Sequence, residues 1–226
     1  MTTGHESPLS ASGEGLGGGV PRRHRARRGE GELLREKIID AAERLLLESG
    51  GDEDAVSIRA VSEAVGVSPP SIYLHFADKT DLVFEVSERN FRVFDEALDT
   101  AAAQGKDPVE SLGLRCKAYI RFGLDHPGPY RILFLSKPTA VPKDWSLERV
   151  MAKGGAFAHL VQNVQACMDA GAFAREDPVL VATVLWSAVH GVTALLVTGA
   201  QLPSPDLDAL VDKLREVCMR GLAPTP

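Results

Sequence analysis

Cysteine is scarce in this chain, and residue patterns typical of an active site are missing. The chain has 226 residues and three cysteines, Cys116, Cys167 and Cys218, which are widely spaced along it. This spacing fits neither a disulfide framework nor a zinc site, so we interpret all three as free thiols in apolar helices. No set of nucleophile, base and orienting group stands out, and neither do paired carboxylates. The sequence therefore predicts no catalytic residue, no metal and no cofactor.

Long apolar runs are missing as well. No window reaches the roughly eighteen apolar residues of a membrane span. The amino terminus has no apolar signal core. The sequence therefore predicts a cytoplasmic protein with no membrane partner. Its length suffices for one small domain plus one larger core, or for a single large domain.

Positive charge is in deficit overall but concentrated in one place. The net charge is −6, yet residues 21–28 contain several arginines and no acid. The basic residues of this arm are Arg22, Arg23, Arg25, Arg27 and Arg28. Residues 10–19 before it are rich in Gly and Ser and cannot bury a core, so we expect disorder in the free chain. The arm either contacts the phosphates or the minor groove of DNA, or is a solvated tail.

Residues 57–82 have the pattern of two short helices joined by a tight turn. Ser57 is a suitable N-cap for the first helix, and Gly66 tolerates the positive φ that ends it. Ser68 is predicted to cap the second helix, where a proline in the first turn misses no hydrogen bond. That helix is predicted to run for about seven residues and to end near Phe76. This arrangement indicates a helix-turn-helix and, with it, DNA binding.

The residues of the second helix of the motif fall on an inward face and an outward face. Ile72 and Phe76 lie four residues apart and are predicted to point inward. Tyr73 and His75 have polar tips that can reach phosphates, although both are also plausible half-buried packing residues. Arg59, like Arg44 on the first helix, either faces phosphate or pairs with a nearby acid. The predicted DNA-binding residues of this region are Ser57, Arg59, Ser68, Pro70, Ser71, Tyr73, Leu74, His75 and Lys79.

The stretch GVSPPSIYLHFADKTDL resembles the signature of the TetR family of bacterial transcriptional repressors. The resemblance is carried by Gly66, Val67, Ser68, Tyr73, His75, Phe76, Lys79 and Leu82. It implies a dimer that binds a double-stranded, pseudo-palindromic operator and is released by a small-molecule effector. Two positions depart from the usual pattern: Pro70 replaces a small residue in the reading helix, and Ser62 stands where Ala is commoner. Pro70 leaves the base preference open.

The whole chain reads as all-α. A first helix of about sixteen residues, from near Leu34 to the glycines at 50 and 51, is predicted to brace the motif. After it, Pro, Gly and Asp signals delimit six further helices. These are predicted at 82–105, 108–124, 126–136, 147–170, 178–198 and 207–222. We divide the chain into a leader (1–31), a helix-turn-helix domain (32–80), a helical ligand-binding and dimerisation domain (81–222) and a tail (223–226).

The last two long helices are candidates for a subunit interface. Residues 179–197 are apolar around most of the helix and include several small residues, so the helix is predicted to be buried. With the apolar stripe of residues 207–218, it could form a four-helix interface between two subunits. The alternative is a core within one subunit.

The resemblance implies an effector pocket in the larger domain and a structural hydrogen bond between helices from His190. The predicted lining residues are Tyr119, Phe122, Phe134, Trp145, Met151, Phe157, His159 and Trp186. Each is equally suited to an ordinary core. The absence of clustered charge favours a largely apolar effector. Two alternatives remain: an all-α enzyme or protein-interaction bundle, and a helix-turn-helix regulator without a small ligand.

Overall fold

The computed structural model describes residues 29–136, 154–200 and 206–224. Over these ranges the protein is helical and contains no strand, so the all-α prediction is confirmed. The described helices are α1 (Glu30–Glu48), α2 (Ile58–Val65), α3 (Pro69–Ile72), α4 (Lys79–Ala102), α5 (Pro108–Asp125), α6 (Pro127–Phe134), α7 (Ala156–Asp169), α8 (Pro178–Val197) and α9 (Leu207–Leu222), with a 3₁₀ turn at Glu53–Ala55. The predicted arm at 21–28 and the first part of the helix predicted at 147–170 lie outside the described residues.

Aspartates begin four of the described helices. Asp78, Asp107, Asp177 and Asp206 are the N-caps of α4, α5, α8 and α9, and each side chain accepts a bond from a backbone N–H of the first turn. A carboxylate there satisfies an otherwise unpaired donor and interacts favourably with the helix dipole. These local signals explain why the predicted bounds of these helices agree with the observed ones within a few residues.

The amino-terminal core is aliphatic and includes residues from beyond the helix-turn-helix. α1 is longer than predicted, with 19 residues. It packs with α2 and α3 around Val61, Ile72 and Phe76. Three residues of α4, Leu82, Val83 and Val86, and Ile132 of α6 belong to the same buried cluster. The first domain therefore shares its core with the helices that follow it.

The larger carboxyl-terminal part is organised around α5, which packs against α4, α6, α7 and α8. Its interior contains two clusters. One lies between α5, α7 and α8 around Leu112, Val164 and Leu185. The other is aromatic and includes Phe94, Tyr119, Phe122 and Tyr130.

Helix α8 is strongly apolar but only partly buried. Its 20 residues have a mean hydropathy of 1.9 in the most apolar window, so one described helix is long and apolar enough to cross a membrane, although a soluble core helix passes the same test. Leu180, Val184 and Leu195 are about half exposed. Apolar residues occupy both faces of α8, and the described residues cover one of them, so a second copy is still needed for the predicted burial in a subunit interface.

Candidate nucleic-acid interface

The turn between α2 and α3 is built as the sequence predicts. The Ser57 side chain accepts a bond from the Ala60 N–H (3.1 Å) at the start of α2. α2 ends at Gly66, whose φ of +79° lies in the left-handed region that favours glycine. The N–H groups of Gly66 and Val67 both bind the carbonyl of Ser62, at 2.9 and 3.0 Å. This closure turns the chain sharply towards α3.

Helix α3 is shorter than predicted, because it ends at Ile72 and not near Phe76. The chain must reach Asp78, the N-cap of α4, within six residues, and it does so through a hydrogen-bonded turn. Ser68 is the N-cap residue of α3, as predicted, but its side chain bonds the Ser71 hydroxyl at 2.9 Å and no backbone N–H of the helix. The Phe76 N–H still binds the Ile72 carbonyl at 3.1 Å, so both side chains keep one face and are buried.

The opposite face of α3 and the turn after it project into solvent. Leu74 is 82% exposed and Tyr73 is 55% exposed, so Tyr73 is not the half-buried packing residue of the alternative interpretation. Pro70 is also exposed, whereas Ser71 and His75 are half-buried. Ile72 and Phe76 are buried and hold this segment in place, so the residues near them that point outward form an exposed surface, which we call the α3 surface.

The cations near this surface are paired with acids. Arg59 Nε lies 2.9 Å from Glu63 Oε1 on the next turn of α2. Lys79 Nζ lies 3.5 Å from Asp54 Oδ1. For Arg44 the sequence allowed either a phosphate contact or an acidic partner. In the structure Arg44 Nε lies 4.0 Å from Glu48 Oε1. Phosphate binding by these residues would require the ion pairs to open.

Two arginines that join α1 to α4 were not predicted. Arg35 Nη2 lies 2.6 Å from Glu85 Oε2, and its guanidinium lies over the Phe76 ring, 5.2 Å from the centroid. Arg89 donates to Asp40 Oδ1 at 2.6 Å and to Glu43. The partners are separated by 46 and more residues along the chain, so no local pattern could reveal them.

Helix α6 connects the amino-terminal core to the carboxyl-terminal one. Ile132 is buried in the first core, and Arg131 Nη2 donates to the Val197 carbonyl at the end of α8 (2.8 Å). Tyr130 Oη lies 2.9 Å from His190 Nδ1, and Tyr119 Oη lies 2.8 Å from the same nitrogen. The predicted hydrogen bond between helices from His190 is thus confirmed. Burial lowers the pKa of His190, which favours the neutral ring.

The residues predicted to line an effector pocket fall in several places. Tyr119, Phe122 and Phe134 pack edge to face or tilted around Phe94 and His190, with Trp186 beside them. Phe157 contacts the Trp186 ring. His159 lies apart, against two aspartates of α4. Trp145 and Met151 lie outside the described residues.

A groove of about 380 Å³ lies between α5, α8 and α9. Its walls are mainly apolar, including Leu114, Ile120, Val189 and Leu214, and charged residues lie at its rim. None of the six predicted effector residues that the structure describes lines it. Cys116 does, and burial raises its pKa to about 12, so it is a thiol at neutral pH.

Two family models match this chain. Residues 38–86 match "Bacterial regulatory proteins, tetR family", and residues 112–217 match "Tetracyclin repressor-like, C-terminal domain". The first match covers α2, α3 and most of α1, and the second covers most of the helices that form the groove.

Curated relatives and solved structures agree with these matches. The uncharacterized HTH-type transcriptional regulator YobS of Bacillus subtilis is 27% identical over 170 residues, which is 73% of this chain and 79% of the relative. The HTH-type transcriptional repressor KstR of Mycolicibacterium smegmatis is 35% identical over 78 residues, 34% of this chain and 37% of the relative. A TetR family transcription regulator from Marinobacter aquaeolei VT8 shares the fold, with a TM-score of 0.64, 19% identity and coverage of 86% of this chain and 97% of that one.

Proposed function

Because this chain belongs to the TetR family of bacterial DNA-binding transcriptional regulators, we propose that it is a cytoplasmic, homodimeric repressor without enzymatic activity. Two copies of the α3 surface would occupy successive major grooves of a pseudo-palindromic operator, about 34–36 Å apart. The observation that carries the proposal is the exposure of Tyr73 and Leu74 between the buried anchors Ile72 and Phe76. Leu74 is a large apolar side chain that the buried Ile72 and Phe76 hold in an exposed position, where it can contact a partner surface.

The residues of this surface divide into two roles. Leu74 and Pro70 offer apolar contacts, for example to a thymine methyl, and Ser71 offers a hydroxyl to a base edge. Tyr73, His75 and Lys79 would bind phosphates, which set the position of the protein on the duplex. Because Arg59 and Lys79 are already paired with acids, we propose that the basic arm contributes much of the phosphate affinity.

The position of α1 supports this role for the arm. A Cβ atom built on Gly31 would lie 3.9 Å from His75 Cε1, so the first turn of α1 is beside the α3 surface. The arm ends directly before that turn. Arginines attached there are within reach of the phosphates that flank a groove occupied by α3.

DNA binding is tested with duplexes selected from a random library by the full-length protein. Leu74→Ala should weaken binding to the selected sequence about tenfold or more, whereas Val93→Ala, at another exposed apolar position, on α4, should leave it unchanged. Removing residues 1–28 should weaken binding and flatten its dependence on salt. If no duplex is enriched, the repressor proposal fails, and a protein-interaction bundle or an enzyme becomes the better interpretation.

We propose that α8 and α9 form the dimer interface. The exposed residues Leu180, Val184, Ser187, Gly191 and Leu195 recur at helical spacing along one face of α8. A Cβ atom at Gly191 would meet no atom of the described residues within 4 Å, so a second helix can approach closely there. α9 adds Val217, which is 61% exposed, and has no buried residue of its own.

The dimer proposal is tested by two matched substitutions. Val184 on α8 and Val93 on α4 are 56% and 55% exposed. Val184→Arg should convert the protein to a monomer in sedimentation velocity, because it places a charge in an apolar interface, and Val93→Arg should leave a dimer. A Val184→Arg protein that remains a dimer would remove α8 from the interface.

We propose that the groove between α5, α8 and α9 binds a small, largely apolar effector. Its volume is in the range of small-molecule sites. The groove borders α8, whose end is bonded through Arg131 to α6, and α6 inserts Ile132 into the amino-terminal core. A ligand that favours one position of α8 could therefore shift the equilibrium between DNA-binding and released states.

The effector site is tested by filling the groove. A Cβ atom at Gly113 would lie 3.7 Å from Arg215 Cδ, an ordinary van der Waals contact, and both residues line the groove, so Gly113→Val narrows it. This variant should bind DNA but resist release by compounds that release the wild-type protein. Phe134→Leu probes the aromatic cluster predicted from the sequence. If Phe134→Leu resists release and Gly113→Val does not, the effector occupies the aromatic cluster.

A further inference from the structure

Three metal-ligating side chains meet between α4 and α7. Asp95 and Asp99 lie on successive turns of α4, and His159 reaches them from α7. His159 Nδ1 lies 3.0 Å from Asp95 Oδ1 and 3.1 Å from Asp99 Oδ2, and the three ligand atoms all lie within 4.8 Å of one another. All three residues are half-buried. The sequence predicted no metal, because 60 residues separate the histidine from the nearer aspartate.

We propose that Asp95, Asp99 and His159 form a binding site for a divalent transition-metal ion of the Zn²⁺ class. One imidazole nitrogen and two carboxylate oxygens are suitable donors for such ions. His159 Nδ1 lies 3.0–3.1 Å from each carboxylate oxygen; at about 2.0–2.2 Å from a metal, each of these two pairs subtends roughly 95° at it, which lies between octahedral and tetrahedral values. In this arrangement the histidine proton lies on Nε2, and Nδ1 binds the metal.

A buried arginine next to the cluster is a second observation that points to a ligand. Arg115 is 5% exposed; Nη2 donates to Asp99 Oδ1, and Nε donates to Asn163 Oδ1 at 2.6 Å. Its third nitrogen, Nη1, is buried and has no hydrogen-bond partner among the described residues. A metal with three protein ligands retains positions for water. A metal-bound water beside Asp99 would give this buried donor an acceptor.

The same arginine orients Asp99. By holding Oδ1, Arg115 directs Oδ2 towards His159, as hydrogen-bonded groups around a metal site orient its ligands. Two carboxylates and one guanidinium leave a net negative charge when His159 is neutral, which favours a cation. The competing arrangement is a protonated His159 that forms an ordinary ion pair with the two aspartates.

The experiment titrates Zn²⁺ into metal-depleted full-length protein, with calorimetry for affinity and elemental analysis after dialysis for stoichiometry. The wild-type protein should bind one Zn²⁺ per chain. His159→Gln and Asp95→Asn should each weaken binding about tenfold or more. Asp169→Asn is the matched control, because Asp169 lies on α7 outside the cluster and is exposed. Circular dichroism shows which variants fold, and only those are titrated.

A Co²⁺ titration distinguishes this site from binding at cysteines. Co²⁺ in the proposed site should show an absorption spectrum without thiolate charge-transfer bands, and His159→Gln should abolish it. Zn²⁺ binding that is unchanged in both His159→Gln and Asp95→Asn would overturn the proposal. So would a wild-type protein that binds no Zn²⁺ in the calorimeter, in which case the cluster is an ion pair only.

Discussion

The amino-terminal and carboxyl-terminal cores of this regulator are stabilised in different ways. The amino-terminal core consists mainly of Ile, Val, Leu and Ala with Phe76, and its buried polar side chain, Ser62, bonds the carbonyl of Arg59 in its own helix. The carboxyl-terminal core contains aromatic rings that pack mainly edge to face or tilted and whose polar atoms bond across helices: Trp186 Nε1 donates to Tyr119 Oη, which also contacts His190. Apolar burial is non-directional, whereas hydrogen bonds define one arrangement.

This difference suits the two tasks that we propose. The amino-terminal core has to hold α3 rigidly, and aliphatic packing achieves this with few buried polar groups that could lose a partner. The carboxyl-terminal core contains polar groups that must keep their partners when helices move, so it favours discrete arrangements. Helix α6 belongs to both, because Ile132 is buried in the first and Tyr130 in the second.

The largest effect should come from a cavity in the amino-terminal core. Phe76→Ala should lower the free energy of unfolding by about 3–5 kcal/mol, because it removes a buried ring and the cation–π contact with Arg35. Urea denaturation measures the change. Leu74→Ala, two residues away and exposed, should change stability by no more than about 0.5 kcal/mol. Equal losses of stability in the two variants would contradict the assignment of Phe76 to the buried face and Leu74 to the exposed face.

A smaller loss should follow from removing one hydroxyl in the carboxyl-terminal core. Tyr119→Phe should lower the free energy of unfolding by about 1–3 kcal/mol, because His190 Nδ1 and Trp186 Nε1 each lose a partner in the interior. Tyr73→Phe removes the same atom from an exposed ring and should have no measurable effect on stability. If Tyr119→Phe also leaves the free energy of unfolding unchanged, the hydrogen bonds of Tyr119 do not stabilise the carboxyl-terminal core, and the contrast with the amino-terminal core fails.

The two cores should also respond differently to pH. Burial lowers the pKa of His190 below its ordinary value of 6.5. The unfolded chain therefore binds a proton before the folded one does, and stability should decrease as pH falls below about 6.5. One such group contributes at most about 1.4 kcal/mol per pH unit. His190→Gln should show a shallower loss between pH 7 and pH 5 than the wild-type protein; an identical slope would exclude His190 as the cause.

The smallest effect on stability should come from an ion pair at the edge of the amino-terminal domain. Lys79→Ala removes the contact with Asp54 and should change the free energy of unfolding by about 0–0.5 kcal/mol. The same variant should reduce the salt dependence of DNA binding by about one phosphate contact per subunit. Fluorescence anisotropy at several salt concentrations measures the slope. An unchanged slope would mean that Lys79 stays paired with Asp54 on DNA.

Local signals account for what could be predicted from the sequence. The caps at Asp78, Asp107 and Asp206 set the starts of their helices, and Gly66 ends α2, because each acts through backbone atoms a few residues away. The inward positions of Ile72 and Phe76 follow from helical periodicity.

Tertiary structure decided the features that depend on distant residues. It ended α3 at Ile72 by bringing α4 close, left one apolar face of α8 uncovered, and opened the groove away from the predicted aromatic residues. It also brought His159 to Asp95 and Arg89 to Asp40. The sequence by itself determined which described segments are helical and which side chains near α3 point inward, since both depend on local bonding and periodicity. Only packing determined how those helices meet, because contacts between distant residues leave no periodic trace in the chain.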